Sequence, residues 1–116
     1  MLFIQYPKCT TCKNALKFLK NNNFNFENRD IVTSTPTKSE LLEWMDKSNL
    51  EPKKFFNTSG RVYKELGLKD KVKDMSKEEI AELLSPNGML IKRPILVTKD
   101  KVTVGFKESE YNNLLK

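Results

Sequence analysis

The chain has no histidine, only two cysteines, four glycines and a single tryptophan. Without histidine it lacks the usual general base at neutral pH and the commonest metal ligand. Two cysteines supply half of the about four ligands that a zinc ion takes, so no metal site is expected within one chain. No apolar run approaches the ~20 residues of a membrane helix, and no membrane partner is expected. The opening Met1-Leu2-Phe3-Ile4-Gln5-Tyr6-Pro7 has no basic leader followed by a long apolar stretch. It reads as a first strand rather than a secretory signal, with a cytoplasmic location expected. A glycine-rich phosphate loop and a paired-carboxylate site are also missing.

What is present is an ordinary soluble composition, 38% hydrophobic and 31% charged, in 116 residues, enough for one core and too few for two. The net charge of +6 favours anionic partners without naming one. Nearly all the cations are lysines scattered among carboxylates, not an arginine stripe interleaved with aromatics. Direct nucleic-acid binding is therefore not expected, and nothing demands more than a monomer.

After the apolar residues 2 to 6, Cys12, Ala15, Leu16 and Leu19 follow helical spacing until Asn21-Asn22-Asn23 stops the run. Phe24, Phe26 and Ile31-Val32 suggest a second, parallel strand, giving a β-α-β opening. Pro36 suits a first helical position, and Thr37 with Glu40 has capping-box spacing ahead of Leu41, Leu42 and Met45. A turn-like segment from Glu51-Pro52 carries Phe55 and Phe56, which together with Trp44 are expected in the core. Val62, Tyr63 and Leu66 make a short helix stopped by Gly67. Ser76 and Glu79 form a second capping box ahead of Ile80, Leu83 and Leu84. Ile95 to Thr98 and Val102 to Val104 read as an antiparallel hairpin, and residues 108 to 115 as a last helix. The order β-α-β, helical segment, β-β-α matches an α/β thioredoxin- or glutaredoxin-like fold with a four-stranded mixed sheet. One such domain over residues 1–116 is expected, with a helical insertion at about 36–90.

The chemistry lies in Cys9-Thr10-Thr11-Cys12, which follows a strand and opens a helix, the setting of a redox-active pair. The first sulfur then sits among unsatisfied amides at the positive end of the helix dipole, which favours thiolate. Lys8 and Lys13 flank the pair. Cys9 is the expected nucleophile, and Cys12, one turn deeper, the thiol that resolves a mixed disulfide. The polar loop Asn57-Thr58-Ser59-Gly60-Arg61 is either an anion contact or a plain connector. Lys107 is rim or surface.

Cys9-Thr10-Thr11-Cys12-Lys13-Asn14-Ala15, Tyr63-Lys64-Glu65-Leu66-Gly67, and Lys92-Arg93-Pro94-Ile95 with its hairpin resemble the ArsC/Spx family over essentially the whole chain. That family holds glutaredoxin-like arsenate reductases, redox-sensing Spx regulators that bind the C-terminal domain of the RNA polymerase α subunit, and short bacterial members. The resemblance implies a cis Arg93–Pro94 bond beside the active cysteine. It makes Cys9 the catalytic cysteine and Arg93 the match to one of three oxyanion-binding arginines. The other two are matched by Asn57 and Lys107, with Arg61 nearby. The family's reductases usually lack a second cysteine, so Cys12 implies a different cycle. The implied function is a thiol–disulfide oxidoreductase or arsenate-reductase-like protein using Cys9, Cys12 and Arg93. Its candidate substrate contacts are Lys8, Asn57, Arg61, Pro94 and Lys107. It holds no bound cofactor and is recycled by thioredoxin or a glutathione-type thiol. The alternative is an Spx-like redox-switched regulator whose partner is the RNA polymerase α subunit.

Overall fold

The computed structural model describes residues 1–113. Its centre is a four-stranded sheet in the order β2-β1-β3-β4, formed by β1 (Leu2–Gln5), β2 (Glu27–Asp30), β3 (Ile95–Val97) and β4 (Val102–Val104). The β1–β2 pair is parallel, whereas β1–β3 and β3–β4 are antiparallel. The mixed sheet and thioredoxin-like order are those read from the sequence.

Alternation along the central strands divides the core between the two faces of the sheet. Phe3 and its cross-strand partner Leu96 pack with Ala15, Leu19 and Tyr111. These last three come from α1 (Thr10–Asn21) and α5 (Glu108–Asn113). Residues 114 and 115, included in the helix expected over 108–115, lie outside the described residues. Ile4 and Ile95 point the other way, into a larger cluster that includes Leu41, Trp44, Phe55, Phe56 and Leu84. That cluster is built by α2 (Lys38–Ser48), α4 (Lys77–Leu84), the short α3 (Arg61–Glu65) and single 3-10 turns between them.

The strand order fits a simple local logic except at β2. Its residues Glu27-Asn28-Arg29-Asp30 are polar, and the aromatic and β-branched residues that signal it flank the strand instead of forming it. An edge strand needs backbone pairing on one side only, and here Ile31, just beyond it, supplies the burial. Both capping boxes form completely, with Glu40 N–H donating to Thr37 Oγ1 and Thr37 N–H to Glu40, and the same exchange between Ser76 and Glu79. Pro36 sits one residue ahead of the Thr37 cap, not at the first helical position that its fixed φ suggests. The turns at Leu68–Asp70 and Val72–Asp74 bury Leu68 and Val72, a segment whose spacing carries no helical or strand period.

Glu40 has a second task. Arg29 clamps both its carboxylate oxygens at 2.8 and 2.9 Å and also donates to the Ser34 and Thr35 carbonyls. The guanidinium holds the Glu40 carboxyl down at about 2. A carboxyl whose folded pKa is depressed stabilises the fold above its unfolded pKa and loses that contribution as pH falls through the folded one. Arg29→Met should therefore cost about 1–2 kcal/mol at neutral pH. In urea unfolding, the gap to the parent protein should narrow as pH drops from about 4.5 towards 2; a gap that stays constant would show that pairing with the Glu40 carboxylate is not its source.

Candidate active site

Strand register brings the first part of the site together. With Ile4 opposite Ile95 and Ile95 opposite Val104, the chain leaving β1 meets the chain entering β3, which meets the chain leaving β4. Tyr6 thus faces Arg93, whose guanidinium carbon lies 5.1 Å from the Tyr6 ring centre, within the range of a cation–π contact. Pro94 in turn accepts the Gly105 N–H at 2.8 Å. The Arg93–Pro94 bond is cis. A separate bridge between Phe56 and Ile91 ties the Asn57–Gly60 loop to the same neighbourhood, with Asn57 N–H donating to Leu90 at 2.8 Å and Lys92 N–H to Phe55 at 2.7 Å.

Cys9 closes the turn out of β1, donating its N–H to Tyr6 at 3.0 Å and accepting from Lys13 N–H at 3.0 Å. It is the N-cap of α1, in extended conformation, and the first turn that follows contains no acidic residue. The amides of that turn have no helical partners, so the positive end of the helix is left to the sulfur. Cys9 is partly exposed and Cys12 fully buried, both as free thiols. Burial pushes the Cys9 thiol up, yet the Cys12 amide and thiol and the Arg93 guanidinium outweigh it, and the net direction is down. Cys12 goes the opposite way, pushed up to about 12 by burial first and then by the hydrogen bond and charge of Cys9, against the Tyr6 backbone. One turn of helix therefore separates a thiol whose ionisation is favoured from one whose ionisation is opposed.

Cys9 opens onto a cleft of about 440 Å³. It is lined by Asn57, Ser59 and Gly60 of the loop together with Lys92, Arg93, Phe106 and Lys107. A Cβ on Gly60 would come within 2.6 Å of the Asn57 amide nitrogen, so glycine lets the loop fold tightly on itself there. Arg93 Nε is buried without a hydrogen-bond partner among the described residues, and Nη1 reaches only the Met89 carbonyl at 3.4 Å. The arginine beside Cys9 thus keeps unused donors.

Of the residues singled out from the sequence, Cys9, Arg93, Asn57 and Lys107 meet in the cleft, and Cys12 lies behind Cys9. Pro94 is buried beneath the cleft as the cis residue. Lys8 is exposed and is not among the cleft's lining residues. Arg61 also stays out: its exposed guanidinium pairs with Glu65 at 2.7 Å, one helical turn on. Lys92 and Phe106 line the cleft without having been assigned a role. Lys92 stood inside the Lys92-Arg93-Pro94 motif, the one signal that could have marked it.

The ArsC family model matches residues 4–114. An uncharacterized protein of Bacillus subtilis, YusI, is 48% identical over 96% of this chain and 94% of its own length. The global transcriptional regulator Spx of Streptococcus agalactiae is 31% identical over 94% of this chain and 78% of its own. A crystal structure of a possible arsenate reductase from Streptococcus mutans superposes with a TM-score of 0.91 at 43% identity, covering 99% of this chain and 97% of the other.

Proposed function

The chain belongs to the ArsC family, and from that premise we propose that it is a thiol–disulfide oxidoreductase of reductase-like type, with Cys9 as nucleophile and Cys12 as resolving thiol. The observation that carries the reading is the pairing of opposed thiols, Cys9 ionisable at the cleft and Cys12 protonated and buried one turn behind it. The Cys9 thiolate attacks a substrate disulfide, forming a mixed disulfide and releasing one thiolate. Burial first, then the hydrogen bond and charge of Cys9, hold the Cys12 proton; once Cys9 is bound in a disulfide its charge no longer opposes ionisation of Cys12. Cys12 then attacks Cys9 Sγ. It gives its proton to the departing thiolate, and the Cys9–Cys12 disulfide forms. An external dithiol such as thioredoxin, or two equivalents of a low-molecular-weight thiol, restores the starting pair. Arg93 orients the substrate and holds the Cys9 thiolate.

The likeness to Spx favours a second reading, in which the same disulfide alters a surface that docks on RNA polymerase through its α subunit. Substrate turnover separates the two, because a switch needs none.

The pH dependence of iodoacetamide alkylation at Cys9 tests the proposal. The midpoint is expected below the ordinary thiol value of 9.0 and should rise in Arg93→Met, which removes the nearest fixed cation. A midpoint at the ordinary value in both proteins would contradict it.

A further inference from the structure

The cleft's charge is one-sided. Lys92, Arg93 and Lys107 line it, and no Asp or Glu does among the described residues. Among the described residues five cations, Arg29, Lys38, Lys53, Arg61 and Lys77, have a carboxylate partner. None of the three cleft cations does among the described residues.

Lys92 is the telling one, because it is half-buried and its position is built. Its side chain runs over Gly105, with Cε 3.3 Å from where a Cβ on that residue would stand. Gly105 itself has a φ of +77°, a conformation open to glycine and closed to most side chains. The glycine leaves a track along which the lysine is laid. A lysine laid in this way covers its aliphatic stem and presents its ammonium group to the cleft, where a ligand of opposite charge can pair with it.

Size narrows the ligand further. A water takes about 30 Å³ of liquid, and a tetrahedral oxyanion fills the space of only a few waters. The 440 Å³ here falls instead in the ~300–1,000 Å³ range of sites for small organic ligands. The same cleft offers the neutral polar groups of Asn57 and Ser59, suited to amide or hydroxyl groups and not to charge.

Resting on the Cys9 reading above, we propose that the substrate is a disulfide carrying carboxylates, held by Lys92 and Lys107 while Cys9 attacks its sulfur. Cys9 Sγ bonds to one substrate sulfur and is oxidised; the other sulfur leaves as thiolate, taking the electron pair, and Cys12 completes the exchange as described. The same chemistry is presented by a small acidic disulfide or by a cystine within an acidic peptide.

Stopped-flow rates in Cys12→Ser, which isolates the first attack, test this with 3,3′-dithiodipropionate, 2-hydroxyethyl disulfide and cystamine as anionic, neutral and cationic probes. Each rate is divided by that of a free model thiol with the same probe, which removes differences in leaving-group acidity. The anionic probe should exceed the cationic one by on the order of tenfold or more, less so at high salt. Adding Lys92→Gln and Lys107→Gln should lower that ratio about fivefold or more. A ratio near unity in the parent, or one that persists in the double lysine variant, overturns the substrate assignment while leaving Cys9 chemistry standing. If the neutral probe is not attacked at all, the Cys9 reading itself fails. A glutamate-rich cystine peptide attacked faster than dithiodipropionate supports the assignment and points to a protein source; the reverse order supports it and points to a small molecule.

Discussion

Cys9→Ser should abolish disulfide reduction, with turnover falling by about 1,000-fold or more, because a serine hydroxyl is not ionised near neutral pH and no other exposed thiol can take its place. Cys12→Ser should behave differently. Its first attack on substrate remains, since Cys9 keeps the helix terminus and the Arg93 charge, but the adduct has no internal thiol to release it. Turnover then depends on a second external thiol and becomes first order in its concentration. A steady-state assay with each variant checks both statements. Equal activity of Cys9→Ser and the parent would place the chemistry elsewhere.

Gly88→Ala should be nearly as damaging, for a reason far from sulfur chemistry. A Cβ at Gly88 would stand 2.3 Å from the Ile31 carbonyl oxygen and 3.0 Å from its carbon, both backbone atoms that no side-chain rotation can move. Ile31 sits immediately after β2, and Gly88 leads into Leu90 and Ile91, which are fully buried. Separating these two segments opens the larger core cluster at the point where it supports the Lys92–Arg93 stretch. We expect a loss of about 3 kcal/mol, towards the upper end for an overpacked site. That is about 10 °C in melting temperature for a chain of this size. Gly67→Ala is the informative comparison. Gly67 has a φ of +62° but nothing within 4 Å of the added carbon, so it should lose only about 1 kcal/mol. If the two variants melt together, close backbone approach is not what fixes residue 88.

The contrast between these glycines shows what could be read before the structure. Gly67 follows a short apolar helical run, and its role as a stop is a local matter that sequence displays. Gly88 looks alike in the sequence, and only the arrival of Ile31 from a distant segment distinguishes it. The same division runs through the site. The Cys9–Cys12 pair, both capping boxes and the closing hairpin are local patterns with local physical causes, and they form where the sequence places them. The polar β2 was legible only through its neighbours, because an edge strand can borrow its burial from adjoining residues. Arg61 was attractive by proximity to the Asn57 loop, yet a glutamate one turn along holds it. Lys92 entered the cleft unannounced, since what directs it is Gly105, just past the end of β4. Cleft walls are made by register between strand ends, and register is a property of the assembled sheet.

Everything proposed for this chain turns on the order of events at two sulfurs. Intact-mass analysis with peptide mapping, after mixing Cys12→Ser and the parent separately with one equivalent of 2-hydroxyethyl disulfide at neutral pH, follows that order directly. The predicted result is a stable mixed disulfide on Cys9 in Cys12→Ser, and in the parent an internal Cys9–Cys12 disulfide with the probe fully released. A parent protein that keeps the probe on Cys9 with Cys12 still reduced, or a Cys12→Ser protein that acquires no adduct, would contradict it.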